Sequence, residues 1–225
     1  MIEGLPIYIP ITFLIATFAT LFFFFLASNK SKAVLFGSLG LMAAQGILAY
    51  QGFFEVTDTI PPRFALLIGP PTVLTIILFI TKPGRRFIDN LNNQTLTYLS
   101  IIRIPIEMVL FWLFIEEWMP EVVTFEGRNF DIVAGITAPI IAFFGYKKKK
   151  FRKPVLLIWN IVCFLLLANV VTLAILAAPS PFQMLEWDKP TIAVMHLPYC
   201  WLAGYIVPVV FFTHLANIRE LIKSN

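Results

Sequence analysis

Residues 98–118 read Tyr98-Leu99-Ser100-Ile101-Ile102-Arg103-Ile104-Pro105-Ile106-Glu107-Met108-Val109-Leu110-Phe111-Trp112-Leu113-Phe114-Ile115-Glu116-Glu117-Trp118. A helix needs about 20 mostly apolar residues to cross a bilayer, and this run has that length. Tyr98 and Trp118 stand at its two ends, where amphipathic rings anchor a span at the membrane–water interfaces. Inside it lie an arginine and a glutamate. At four residues' separation, Arg103 and Glu107 share a helical face, with Ser100 one turn earlier. A charge near the bilayer centre costs roughly 2.5–3.5 kcal/mol on insertion scales, so such residues face a bundle interior and offset part of the cost by satisfying each other. Glu107 is expected near mid-bilayer and Arg103 about 6 Å nearer one surface, at 1.5 Å of rise per residue.

The rest of the chain has the same character. Of 225 residues 59% are hydrophobic and 13% charged, and the mean hydropathy is +0.83. Soluble domains carry about 25% charged residues, so the composition excludes an ordinary soluble domain. Seven apolar segments follow in order, at residues 5–27, 33–54, 64–80, 98–118, 131–146, 154–178 and 191–217. The expected fold is therefore an all-α seven-transmembrane-helix bundle, a single domain over 1–225. Segment one has no basic leader and is too long for a cleavable signal, so it reads as a retained helix. Pro70 and Pro71 stand mid-way through segment three, where two missing amide donors are expected to kink or break it. Phe87, Ile88, Leu91 and Leu96 suggest a short interfacial helix within residues 81–97. Gly135, Ala138, Ala142 and Gly145 make a small-residue seam on segment five that admits close helix packing.

Charge orients the bundle. The segments after spans one, three and five, with the C-terminal end, hold 13 of the 17 Lys and Arg and only Asp89 and Glu220 among the acids. The opposite side holds Arg63, Arg128 and Lys189 against ten acids. By the positive-inside rule the N-terminus lies outside and the C-terminus in the cytoplasm. Topology thus accounts for the net charge of +4, and no nucleic-acid partner is expected. The basic run 147–153, with Lys147, Lys148, Lys149 and Lys150, is placed to meet anionic lipid headgroups. The sequon at Asn93 falls on the cytoplasmic side, and a bacterial inner membrane is the expected location.

Candidate site residues are the ionisable and polar groups at depth. Arg103 and Glu107 come first. Gln45, His196, Tyr199 and Asp131 follow, with His196, Tyr199 and Cys200 expected on one face of segment seven and Asp131 at the outer rim of segment five. His214 reads as a solvated residue near the inner end. Asn160 and Asn169 are nine residues apart, on opposite helix faces, so at most one enters a central cavity. Cys163 and Cys200 read as small apolar core residues. There is no nucleotide-binding glycine fingerprint and no zincin helix, no set of metal ligands can be assembled, and no motif names a cofactor. The span count matches rhodopsins and seven-helix receptors in number alone, and segment seven has no lysine for a retinal Schiff base. It also matches the three-plus-one-plus-three sugar transporters in number, with Gly69-Pro70-Pro71 and Gly204 with Pro208 as a faint internal echo.

Three functions fit. The leading one is binding or transport of a small molecule or ion at a mid-membrane polar site centred on Arg103 and Glu107. The second is an intramembrane enzyme acting on a lipid or isoprenoid, with His196 and a carboxylate, Glu107 or Asp131, as acid and base. The third is a non-catalytic receptor or assembly subunit working through the acidic loop 116–131 and the basic loop 147–153.

Overall fold

A computed structural model describes residues 2–223, and among these the regular structure is all helical, with no strand. Helix α1 is Tyr8–Ala27, α2 Lys32–Tyr50, α3 Ala65–Ile80, α4 Lys82–Asp89, α5 Asn93–Ile115, α6 Ile132–Lys147, α7 Lys153–Leu176 and α8 Leu202–Lys223. Five of them, α1, α2, α5, α7 and α8, are long and apolar enough to cross a membrane, and α3 with α4 adds a sixth if the bent pair is counted as one span. Helix α6 is apolar but only 16 residues long. Large hydrophobic side chains such as Phe18, Phe22, Val73, Ile77, Ile158 and Leu165 point outward from α1, α3 and α7. Helices apolar on every face suit a lipid surround.

The interior is built around α5, whose inward face carries Leu99, Ile102, Ile106, Val109, Leu110 and Leu113 into one core with α1 and α8. Helix α6 lies close against it. A Cβ on Gly135 would come within 2.8 Å of Ile104 Cγ1, and Ala134, Ala138 and Ala142 are fully buried beside it. At Gly135 the small-residue seam is thus where the two backbones meet, while Gly145 at its far end faces Leu156 of α7.

The break expected in segment three does not fall at its prolines. The helix runs on through Pro70 and Pro71 and breaks eleven residues after Pro70, at Thr81, where α4 turns away by 92°. Thr81 caps α4 by accepting from the Gly84 amide, and Gly84 is obligatory there because a Cβ would run into the Leu78 carbonyl. Segment four begins earlier than its aromatic edge, at Asn93, because the Asn92 side chain caps the Thr95 amide at 2.9 Å. Within α5 a tight 3-10 turn, Ser100–Ile102, precedes Pro105, which supplies no amide to the Ile101 carbonyl.

Segment seven also starts later than expected. Residues 191–199 form a loop with one 3-10 turn, Ala193–Met195, and the helix sets in only after Pro198. Pro198 cannot donate, and the residue before a proline is driven away from helical geometry.

The two ends of the bundle carry opposite charge. At one end Asp89 pairs with Arg219 (3.0 Å) and Lys223 (2.7 Å), Asn29 donates to the Asn90 carbonyl, and the chain around 147–153 packs on Leu221 through Tyr146 and Phe151. At the other, Lys189 meets Glu117 at 2.6 Å and His196 meets Glu55 at 3.2 Å. These are termed the basic and acidic ends below.

Candidate functional site

A chain of buried polar side chains runs through the bundle from the acidic half towards the basic end. Its centre is Arg103, only 2% exposed. The guanidinium does not close on Glu107. It pairs with Asp131 at 2.9 Å, donates to the Cys163 carbonyl at 3.4 Å, and meets His214 Nε2 at 3.0 Å. The i,i+4 spacing brings Arg103 and Glu107 to one face, but the loop before α6 delivers a second carboxylate that takes the arginine instead. Asp131 is therefore not a rim residue: it is 3% exposed and is the direct counter-ion of Arg103.

His214 is the second correction. It is 1% exposed, not solvated, and sits between α5 and α7. Arginine only donates, so His214 Nε2 must be the acceptor. Its proton is then on Nδ1, which donates to Asn160 Oδ1 at 3.1 Å. Asn217 donates to the same oxygen (3.2 Å) and to Thr97 Oγ (3.3 Å). Asn160 accordingly faces the interior, while Asn169 lies on the exposed face and reaches the Arg128 carbonyl. Both terminal nitrogens of the guanidinium are thus held, through Asp131, the Cys163 carbonyl and His214, while its Nε is left without an acceptor among the described residues.

Glu107, also 2% exposed, is held differently. One oxygen accepts from the Asn129 amide at 2.7 Å, and Asn129 is itself fixed by the Val123 carbonyl and by the Asp131 backbone amide. The other oxygen, Oε2, has no hydrogen-bond donor among the described residues. Nothing in sequence spacing points to Asn129, because it lies in a loop after a different helix.

Glu107 forms part of the wall of a cavity of about 90 Å³. Asp131 and Thr191 are the other ionisable or hydroxyl-bearing residues on that wall, and the rest is aliphatic apart from Phe64 and Met119. The cavity lies between α3 and α7, backed by α5 and α8. Towards the membrane it is edged by the half-buried Ile68, Val171, Ala174 and Ala203 and the exposed Ile175. It therefore opens sideways onto the apolar surface of the bundle. A second cavity, about 250 Å³, opens nearer the basic end between α2 and α3, with Gly37, Ser38, Pro71, Leu74, Tyr205 and Pro208 among its walls.

Gln45 stands between the two. Its amide nitrogen donates to the Gly204 carbonyl at 3.0 Å and more weakly to the Leu67 carbonyl at 3.5 Å. Both acceptors are orphans of proline: the amides that would serve them in a helix belong to Pro208 and Pro71. One side chain on α2 thus answers two proline defects on α3 and α8. Helix α8 opens into a wide π turn at Leu202–Ile206, around the same carbonyl.

His196 and Tyr199 are not brought to this site. The carboxylate within reach of His196 is that of Glu55, not Glu107 or Asp131, and its ring stands edge-on to Trp118 at 5.5 Å. Burial holds the imidazole below its ordinary 6.5, and Glu55 opposes that shift only in part. Tyr199 packs against Phe13, 5.1 Å between ring centres, and Cys200 belongs to a separate apolar cluster with Phe64 and Leu67. His196, Tyr199 and Cys200 share no helical face, because the chain is not helical before Pro198. Both cysteines are buried free thiols. Among the described residues no three His, Cys, Asp or Glu side chains are gathered to hold a metal ion.

No curated protein and no solved structure matches the chain. Residues 61–222, from four residues before α3 through nearly all of α8, match a family described as a domain of unknown function, DUF8737. They include both carboxylates, Arg103, Asn129 and His214, and exclude α1, α2 and Gln45. That match spans well over half of the chain, which therefore belongs to the DUF8737 family.

Proposed function

We propose that this multi-pass membrane protein binds, and in the course of its work transports, a small molecule that reaches Glu107 from within the bilayer. The observation that carries the reading is Glu107 Oε2: a carboxylate oxygen with no donor among the described residues, on the wall of a cavity that opens sideways to the apolar surface. Binding sites are characteristically apolar with a few convergent polar groups, and intramembrane ionisable residues mark substrate and ion pathways. Arg103 holds Asp131 beside the cavity, and the His214–Asn160–Asn217 track holds Arg103. The cluster is thereby set before a ligand arrives.

The proposal includes a seven-span topology, with α3 and the short α6 both counted as spans, N-terminus outside and C-terminus in the cytoplasm. Support comes from the segregation of Lys and Arg to one end. It also includes a bacterial inner (plasma) membrane as the location, and anionic lipid headgroups as the contact of Lys147, Lys148, Lys149 and Lys150.

The test is native mass spectrometry of the chain released from its own membranes in mild detergent. Wild-type protein is expected to carry a small-molecule mass that Glu107→Gln and the cavity-filling Ala174→Phe both lose. An identical bound population in all three proteins refutes the site.

A further inference from the structure

Resting on the ligand-binding reading above, we infer that the Glu107 cavity recognises a lipophilic cation: a molecule with one protonated amine at the end of an apolar body. Charge balance carries the inference. The buried cluster contains one guanidinium, that of Arg103, and two carboxylates, Asp131 and Glu107. Asp131 takes the guanidinium at 2.9 Å. From α8, His214 already accepts from Arg103 and has no charge to offer; from α7, Cys163 contributes a carbonyl. No lysine, arginine or histidine is among the residues lining the cavity. Glu107 is left with one amide, from Asn129, and one bare oxygen.

A carboxylate without a counter-charge is among the costliest groups to keep in an apolar interior. A proton answers it when the cavity is empty, and an ammonium group answers it better when the cavity is filled, because three N–H donors meet an oxygen that has none. A neutral alcohol makes one hydrogen bond there and leaves the charge unbalanced. An anionic head offers Glu107 no positive charge and gives up its own hydration in an aliphatic cavity that holds no cationic side chain, so it is disfavoured. The aliphatic lining and the sideways opening select the remainder of the molecule. The head lies against Glu107 while the chain extends between Ile68 and Ala174 into the bilayer, where amphiphilic amines concentrate.

The experiment uses the full chain in phosphatidylcholine nanodiscs, with decylamine, decanol and decanoate as probes of equal length, and reads the thermal unfolding midpoint against probe concentration. The expected result is a rise with decylamine at concentrations at least tenfold lower than with decanol, and none with decanoate. Glu107→Gln is expected to weaken the decylamine response at least tenfold and to leave that of decanol in place. Ala174→Phe, which fills the opening and leaves the carboxylate, is expected to lose both. Equal responses to decylamine and decanol in the wild-type chain, or a decylamine response unchanged in Glu107→Gln, overturn the cation inference and leave the ligand-binding reading standing. Absence of any shift with all three probes overturns both. Should Glu107→Gln fail to fold, the three-probe comparison in the wild-type chain and in Ala174→Phe decides.

Discussion

Gln45 and Gly204 form a pair whose coupling follows from geometry. Gln45→Ala removes the donor from the Gly204 carbonyl, and no backbone amide replaces it because residue 208 is proline. Interhelical hydrogen bonds at membrane depth average about 0.6 kcal/mol and reach about 1.7 kcal/mol. The 3.0 Å bond counts in full and the 3.5 Å bond little, so the loss is about 1 kcal/mol. Gly204→Ala acts through the same atoms, since a Cβ there would stand 2.5 Å from both the nitrogen and the oxygen of the Gln45 amide. The least costly relief is for the amide to swing away, which forfeits the same bonds. Alanine also gains up to about 1 kcal/mol over glycine in a helix, so the single variant alone is a poor readout. The coupling is the clean one: the double variant should be about 1 kcal/mol less damaging than the sum of the singles. Reversible unfolding in mixed micelles, followed by circular dichroism, measures all four proteins. Additivity within about 0.3–0.5 kcal/mol would refute the shared-bond account.

Three further outcomes are expected. Arg103→Leu strands the buried Asp131 carboxylate and should cost about 3–5 kcal/mol, with Arg103→Leu/Asp131→Asn recovering a large part; equal instability of the two variants in the same unfolding assay would refute the pairing. Arg219 and Lys223 hold the Asp89 carboxyl below its ordinary 3.8, so the stability it lends is whole above pH 4 and drains away as pH falls through the lower folded-state value. That contribution is under about 1 kcal/mol for so accessible a pair, and comparing wild type with Asp89→Asn at pH 7 and pH 3 measures it. The imidazole of His196 stays neutral to lower pH in the folded chain than in the unfolded one, so its contribution is present above 6.5 and lost as pH falls below it. Glu55→Gln removes the opposing carboxylate and should move the titration of Trp118 fluorescence, which the edge-on His196 ring reports, to still lower pH.

Five of the seven apolar segments were legible as helices long enough to cross a membrane, because length and hydropathy decide them, whereas α3 ends in a right-angled bend and α6 stops at 16 residues; the segregation of charge followed from loop composition alone. The seam on α6 was legible too, since small residues at heptad spacing have one use in a packed bundle. The site was half legible. Arg103 and Glu107 stood out as charges in an apolar run, but their true neighbours come from elsewhere in the chain. Asn129 and Asp131 arrive through a loop, and His214 arrives from the far end of α8; no local periodicity links such residues. Gln45 looked like ordinary interhelical glue. Its particular task depends on Pro71 and Pro208 facing it from two other helices, which only the assembled bundle reveals. The misplaced start of the last helix has a local cause: hydropathy continues smoothly through residues 191–199, and Pro198 overrides it.

Helix α3 belongs to the family-matched region, yet it is the least embedded of the long helices. Its extensive packing is confined to α4 and α8, and only its first residues reach the end of α2. Phe64, Leu67 and Ile68 face the Glu107 cavity, while Pro71, Leu74 and Leu78 face the larger one nearer the basic end. One face of the helix thus runs past both chambers in turn, ending at the right-angled corner around Gly84 and touched near its start, at the Leu67 carbonyl, by Gln45. Because both chambers lie along that one face, a displacement of the helix away from the bundle would widen the two together, and a displacement towards it would narrow both.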